Sequence, residues 1–157
     1  MVDVYLGLGS NVNRAQNIQR AIDALRQLDS DLITSHFYES ASHHSNGEAY
    51  YNGAVKLRCD VSPEKLKAVL TDIENQLDRD RDNPAIVTMD IDLLLYSDLV
   101  IKTPALSLPH PDLLQFRHVL LPVSELAPGM SHPVTKIPLR ELLSQLPDQR
   151  SLFRVSI

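Results

Sequence analysis

The chain has one cysteine and no tryptophan. A lone Cys59 excludes an internal disulfide and a zinc site built from several cysteines. Five tyrosines and three phenylalanines are its only other large rings. Any ring that stacks on a flat ligand comes from that short list. No apolar run approaches the roughly 20 residues of a membrane-spanning helix. The opening MVDVYLGLGS lacks a basic head followed by an apolar stretch, so no secretion signal is expected and a cytoplasmic location is the default. Positive charge is scarce as well. Fifteen Lys and Arg against twenty Asp and Glu leave a net charge of −5, which argues against a general nucleic-acid or membrane-surface binder. Internal repeats and low-complexity tracts are absent.

What is present is globular. The 157 residues are 43% hydrophobic and 22% charged, which suits one domain over 1–157. Val2 to Leu8 alternates and predicts a strand. Ile18, Ile22, Leu25 and Leu28 recur at helical spacing and predict a helix over 14–28. Leu32 to Tyr38 predicts a second strand, residues 40–49 a mobile loop, and Ala54 to Leu57 a third strand. Ser62-Pro63-Glu64 opens a helix with an N-cap serine and a proline at the first helical position. Leu66, Val69, Leu70, Ile73 and Leu77 form its buried stripe. A polar loop over 78–84 precedes the strand Asp90 to Tyr96, and Leu99 to Ile101 is expected to return beside that strand as a hairpin. Residues 104–111 hold three prolines and are expected to be extended. Helices are predicted over 115–126 and 138–146. The element order implies an α+β fold, a ferredoxin-like β-α-β-β-α-β sandwich with C-terminal additions.

The strongest chemical signal is Asp90-Ile91-Asp92. Alternation along a strand puts both carboxylates on one face, with Cα atoms about 6.6 Å apart. That base suits two Mg²⁺ ions about 4 Å apart over a polyphosphate. Alone, D-x-D is common and more often marks two solvated acids on an exposed strand face. Its neighbours add weight. Arg79 and Arg81 read either as a charge-balanced loop or as guanidinium forks that close over phosphate oxygens. His110 sits in the stiff Pro109-His110-Pro111 and reads as a turn histidine or as a donor to a phosphoryl oxygen. Tyr50 and Asn52 share a face by alternation, and a ring beside an amide suits a flat heterocycle as well as it suits a strand edge. Gly7-Leu8-Gly9-Ser10-Asn11 is neither a dinucleotide nor a Walker fingerprint, and reads as a tight turn in which Asn11 bonds the backbone. His43 and His44 read as surface histidines. Neither Cys59 nor any serine stands in a hydrolase-like arrangement.

Taken together, these pieces resemble one family, the 6-hydroxymethyl-7,8-dihydropterin pyrophosphokinases of folate biosynthesis. VYLGLGSNV, FYES, YYNGAV, TMDIDLLLY, LPHPDL and LPVSELAP follow in that family's order across residues 4–130. The resemblance implies transfer of an intact diphosphate from ATP to the hydroxymethyl group of a reduced pterin, with AMP as the other product. It implies two magnesium ions on Asp90 and Asp92, and phosphate contacts from Arg79, Arg81 and His110. Tyr50 would stack on the pterin and Asn52 would bond it. Where the family reads W-G-P-R-T, this chain reads Pro84-Ala85-Ile86-Val87-Thr88, with Val87 at the arginine's place. Where the family reads R-x-F-V-L, this chain reads Phe116-Arg117-His118-Val119-Leu120. One alignment puts Phe116 at the arginine and His118 at the pterin-facing ring; the other keeps Arg117 and puts Val119 at the ring. Arg117 is therefore a candidate catalytic residue, and Phe116 and His118 are candidate pterin contacts. The alternative to the transferase is a weakened paralogue that senses a pterin-like ligand or a nucleotide. An interaction module that binds neither is a third reading, which Asp90, Asp92 and His110 in family order disfavour.

Overall fold

The computed structural model describes residues 1–40 and 49–157; most of the predicted 40–49 loop, with His43 and His44, lies outside them. A long central strand, β1 (Val2–Ser10), organises the sheet. It is followed by the helix α1 (Arg14–Leu25) and by two short strands, β2 (Ile33–Thr34) and β3 (Phe37–Ser40). Next come β4 (Tyr50–Cys59), α2 (Pro63–Gln76) and β5 (Asp90–Tyr96). The sheet order is β5-β1-β4-β3, every neighbouring pair antiparallel. That is the ferredoxin-like arrangement expected from the element order.

Local chemistry explains these elements. Ser62 accepts a hydrogen bond from the Lys65 N–H and Pro63 fills the first helical position of α2, as predicted. Asn13 precedes α1 in the left-handed conformation, at φ 42°, which Asn tolerates better than most residues. The helix ends at Leu25, three residues before the predicted boundary, and the chain closes with a tight turn from the Leu28 N–H to the Leu25 carbonyl. The predicted strand 32–38 is broken at Ser35. There the Ser35 hydroxyl accepts from the Ala54 N–H at 2.8 Å, replacing a ladder bond of the strand.

Both faces of the sheet are covered. Val4, Leu6 and Leu8 of β1 pack with Ile18 and Ile22 of α1 and Leu66 and Leu70 of α2. On the other face Tyr5, Ala54 and Leu94 meet Leu120 and Val123 of a third helix, α3 (Arg117–Leu126), and Leu139 and Leu142 of α4 (Leu139–Leu142). The C-terminal additions are thus a third layer. α3 starts at Arg117 because residues Pro111–Leu114 form a separate 3-10 turn. The predicted 138–146 helix is α4 continued by a 3-10 turn over 143–145.

One expectation is corrected. The segment after β5 does not return beside it. Ile101–Lys102 (β6) instead pairs with Ser107–Leu108 (β7) as a separate two-stranded sheet, so part of the proline-rich 104–111 segment is itself a strand. The C-terminal Phe153–Val155 (β8) adds an edge strand beside β3, which carries no sequence signal of its own. Cys59 is buried in β4. No helix among the described residues is long and apolar enough to cross a membrane.

Gly53 marks the tightest sheet-to-core contact. A Cβ there would overlap the ring of Phe37, which is buried. Gly53→Ala is expected to destabilise the protein by about 1–3 kcal/mol through overpacking, read as a lower melting temperature. An unchanged melting temperature contradicts that packing.

Candidate active site

Ile91 and Leu93 of β5 point into the core shared with α1 and α2. Strand alternation therefore turns Asp90 and Asp92 to the α3 side of the sheet, as predicted. The two carboxylates stand close together, Asp90 partly open to water and both only half-buried. Burial, then the charges of Asp90, Asp112 and Glu74, push the Asp92 carboxyl up to about 8. Such a pair is poorly satisfied by the protein alone. Hard oxygen donors of this kind suit Mg²⁺, which commonly takes one or two carboxylates and completes its shell with substrate phosphates and water. No cluster of three or more His, Cys, Asp or Glu that would cage a metal occurs among the described residues. The donor set thus fits a metal that arrives with a polyphosphate.

Two cavities meet at these carboxylates. The smaller, about 170 Å³, has Gly7 and Gly9 of β1 as its floor and Ser40, Tyr50, Asn52, His118 and Val119 around it, with Asp90, Asp92 and Asp112 at one end. Tyr50 and Asn52 share the cavity face as alternation predicts. Asn52 accepts from the Ser40 hydroxyl at 2.9 Å. A Cβ at residue 9 would lie 2.8 Å from the Asn52 Nδ2, so the amide can lie over β1 only because Gly9 has no side chain. The Gly7–Ser10 segment is thus strand and cavity floor rather than a turn. The larger cavity, about 350 Å³, lies on the other side of the pair. Glu74, His110, Lys67 and the Thr103–Ser107 segment line it.

Both loop arginines have acidic partners. Arg79 donates to the Met89 carbonyl at 3.0 Å and stands 3.6 Å from Asp90 and 3.9 Å from Glu74. Arg81 binds Glu74 at 2.8 Å and the Asn75 amide oxygen at 2.6 Å. Glu74 is buried on α2 and also accepts from the Ile91 N–H at 2.8 Å. Burial pushes Glu74 upward, against the pull of that N–H and the two arginines. Sequence reasoning missed it, although an acid four residues after Leu70 lies on the helix's apolar stripe, which was the available signal.

His110 accepts the Asp112 N–H on Nδ1 at 3.1 Å. An acceptor nitrogen carries no proton, so this geometry assigns the neutral ring's proton to Nε2. Burial pushes the imidazole down, partly opposed by Asp112. It faces the larger cavity as a neutral donor. His118 and Val119 line the smaller cavity, while Phe116 and Arg117 line neither. The Phe116 ring lies 5.4 Å from that of His118, and the Arg117 N–H bonds Asp148 at 3.3 Å. The helix phase therefore turns His118 and Val119, the ring position of either alignment, toward the cavity, and Phe116 and Arg117 away from it. Asn11 bonds the backbone, but of a distant loop. Its amide donates to Ala85 at 2.8 Å and accepts from Val87 at 2.7 Å. Val87 is buried beneath that staple.

The family described as 7,8-dihydro-6-hydroxymethylpterin-pyrophosphokinase matches residues 5–128. A 2-amino-4-hydroxy-6-hydroxymethyldihydropteridine pyrophosphokinase of Aquifex aeolicus is 34% identical over 144 residues, covering 90% of this chain and 90% of that protein. The protein of the same name from Haemophilus influenzae is 32% identical, with 97% and 98% covered. The folic acid synthesis protein FOL1 of Dictyostelium discoideum is 33% identical over 157 residues, and the chain spans only 24% of its length. Among solved structures, wild-type Plasmodium falciparum HPPK-DHPS with SDX-DHP superposes with a TM-score of 0.72 at 16% identity, over 92% of this chain and 43% of that one. This likeness supports the ferredoxin-like fold.

The buried carboxylate pair generates a pH dependence. Without metal, folded Asp92 keeps its proton up to pH about 8, whereas in the unfolded chain it loses it near 3.9. Between those values the folded state holds the extra proton, so stability falls as pH rises from about 4 to about 8. Asp92→Asn is expected to flatten that slope and raise the metal-free melting temperature at pH 8. A slope untouched by the substitution contradicts the assignment.

Proposed function

We propose a function from one premise: the chain belongs to the 7,8-dihydro-6-hydroxymethylpterin-pyrophosphokinase family. It is a transferase of folate biosynthesis that moves diphosphate from ATP to the hydroxymethyl group of 6-hydroxymethyl-7,8-dihydropterin. The hydroxymethyl oxygen bonds to the β-phosphorus, the bond between that phosphorus and the α,β-bridging oxygen breaks, and AMP leaves. The hydroxyl proton is lost to solvent or a nearby base. One domain over 1–157 carries the reaction.

The observation that supports this most is that Asp90 and Asp92 form the shared wall of two cavities. A diphosphate transfer needs two ligands that meet at one charged point, and needs positioning more than covalent help. The smaller cavity takes the pterin, with the Tyr50 ring against its face, Asn52 bonding its polar edge and His118 covering it. The larger takes the nucleotide. Asp90 and Asp92 would hold two Mg²⁺ ions, whose chemistry is to neutralise and orient the phosphate oxygens. His110 donates from Nε2 to a phosphate oxygen. Arg79, beside Asp90, adds charge at the same point, and Arg81 reaches the phosphates if it exchanges Glu74 for them. Phe116 and Arg117 carry no role in this reading. The transferase, rather than a sensor, is the reading that the named relatives favour.

AMP release from ATP and Mg²⁺, with and without 6-hydroxymethyl-7,8-dihydropterin, tests it. AMP is expected only when the pterin is present. Asp92→Ala is expected to abolish it, and His110→Ala to lower kcat about 10²-fold or more, as for a lost oxyanion donor. Binding of both ligands without any AMP contradicts the transferase and leaves the sensor.

A further inference from the structure

We infer that Lys67 grips the nucleoside end of the nucleotide, an inference that rests on the larger cavity being the nucleotide site. Lys67 follows Leu66, which α2 buries in the core. Its ammonium spans the cavity from α2 to the Ala105 carbonyl, which lies between β6 and β7. It is the one Lys or Arg among the described residues that line this cavity, where Glu74, Asp90 and Asp92 supply the acids.

Along α2, Glu74 lies seven residues after Lys67, two turns or about 10 Å away, so the cavity has an acidic end and a basic one. Its carboxylate end, with His110, suits metal-bridged phosphates. What remains for the base and ribose is the Thr103–Ser107 rim, where Lys67 ends. An ammonium carries three N–H donors, and the Ala105 carbonyl takes one. The others would meet the acceptors a nucleoside offers there, ribose oxygens and ring nitrogens. Lys67 is exposed and absent from the buried stripe of α2, so its replacement leaves the core of α2 unchanged.

The test compares two probes by calorimetry with Mg²⁺: an α,β-methylene analogue of ATP, and inorganic tripolyphosphate, which has the phosphates without the nucleoside. For Lys67→Met, the analogue is expected to bind about tenfold more weakly, the scale of one charged hydrogen bond, with tripolyphosphate unchanged. Lys67→Arg, which keeps the charge and donors, is expected to restore analogue binding to within about twofold. Unchanged analogue affinity in Lys67→Met overturns the inference. So does a parallel loss of both probes, which would place the ammonium on the phosphates. Wild-type protein that binds neither probe overturns the nucleotide site itself, and this inference with it.

Discussion

Three carboxylates, Asp90, Asp92 and Glu74, crowd the start of β5, and their mutual repulsion in a half-buried place is the constraint on which the site depends. Placing like charges together away from water is costly, and the site answers it in three ways. Asp92 stays protonated up to pH about 8. Glu74 is held by the Ile91 N–H and by Arg81. Arg79 lies between Glu74 and Asp90. The remaining charge is an invitation to a divalent cation. In the proposed reading the site is uncomfortable when empty and settled when metal and polyphosphate arrive, so it binds its ligands by difference, which is what catalysis uses.

The same residues tie distant parts of the chain together. Glu74 joins α2 to β5, the arginines join the 78–89 segment to both, and Asn11 staples that segment to the end of β1. Val87 is buried under the staple and offers no charge to the site. In the proposed reading, cationic help for the phosphates therefore falls to Arg79, Arg81 and metal, and Lys67 serves the nucleoside at the Ala105 rim.

Much of this was legible in the sequence, for reasons of period. A strand repeats every two residues, so Asp90 with Asp92 and Tyr50 with Asn52 were bound to share faces. The Ser62-Pro63 start of α2 was equally plain because capping is local chemistry. Helix phase was harder. Whether Phe116, Arg117 or His118 faces the site depends on where α3 begins, and the 3-10 turn at Pro111–Leu114 sets that start. One residue of shift turns a side chain by about 100°. Glu74 and Lys67 were missed because a single charged residue on an amphipathic helix gains meaning only from what packs opposite. The break at Ser35 and the edge strand β8 arise from pairing with distant strands, which no local pattern records.

The most direct test of the account is a crystal structure of the protein with Mg²⁺, an α,β-methylene analogue of ATP and 6-hydroxymethyl-7,8-dihydropterin. The account predicts the pterin between Tyr50, Asn52 and His118, the triphosphate in the larger cavity, and magnesium on Asp90 and Asp92 between them. Either ligand seated elsewhere, or a metal that avoids both aspartates, would contradict it.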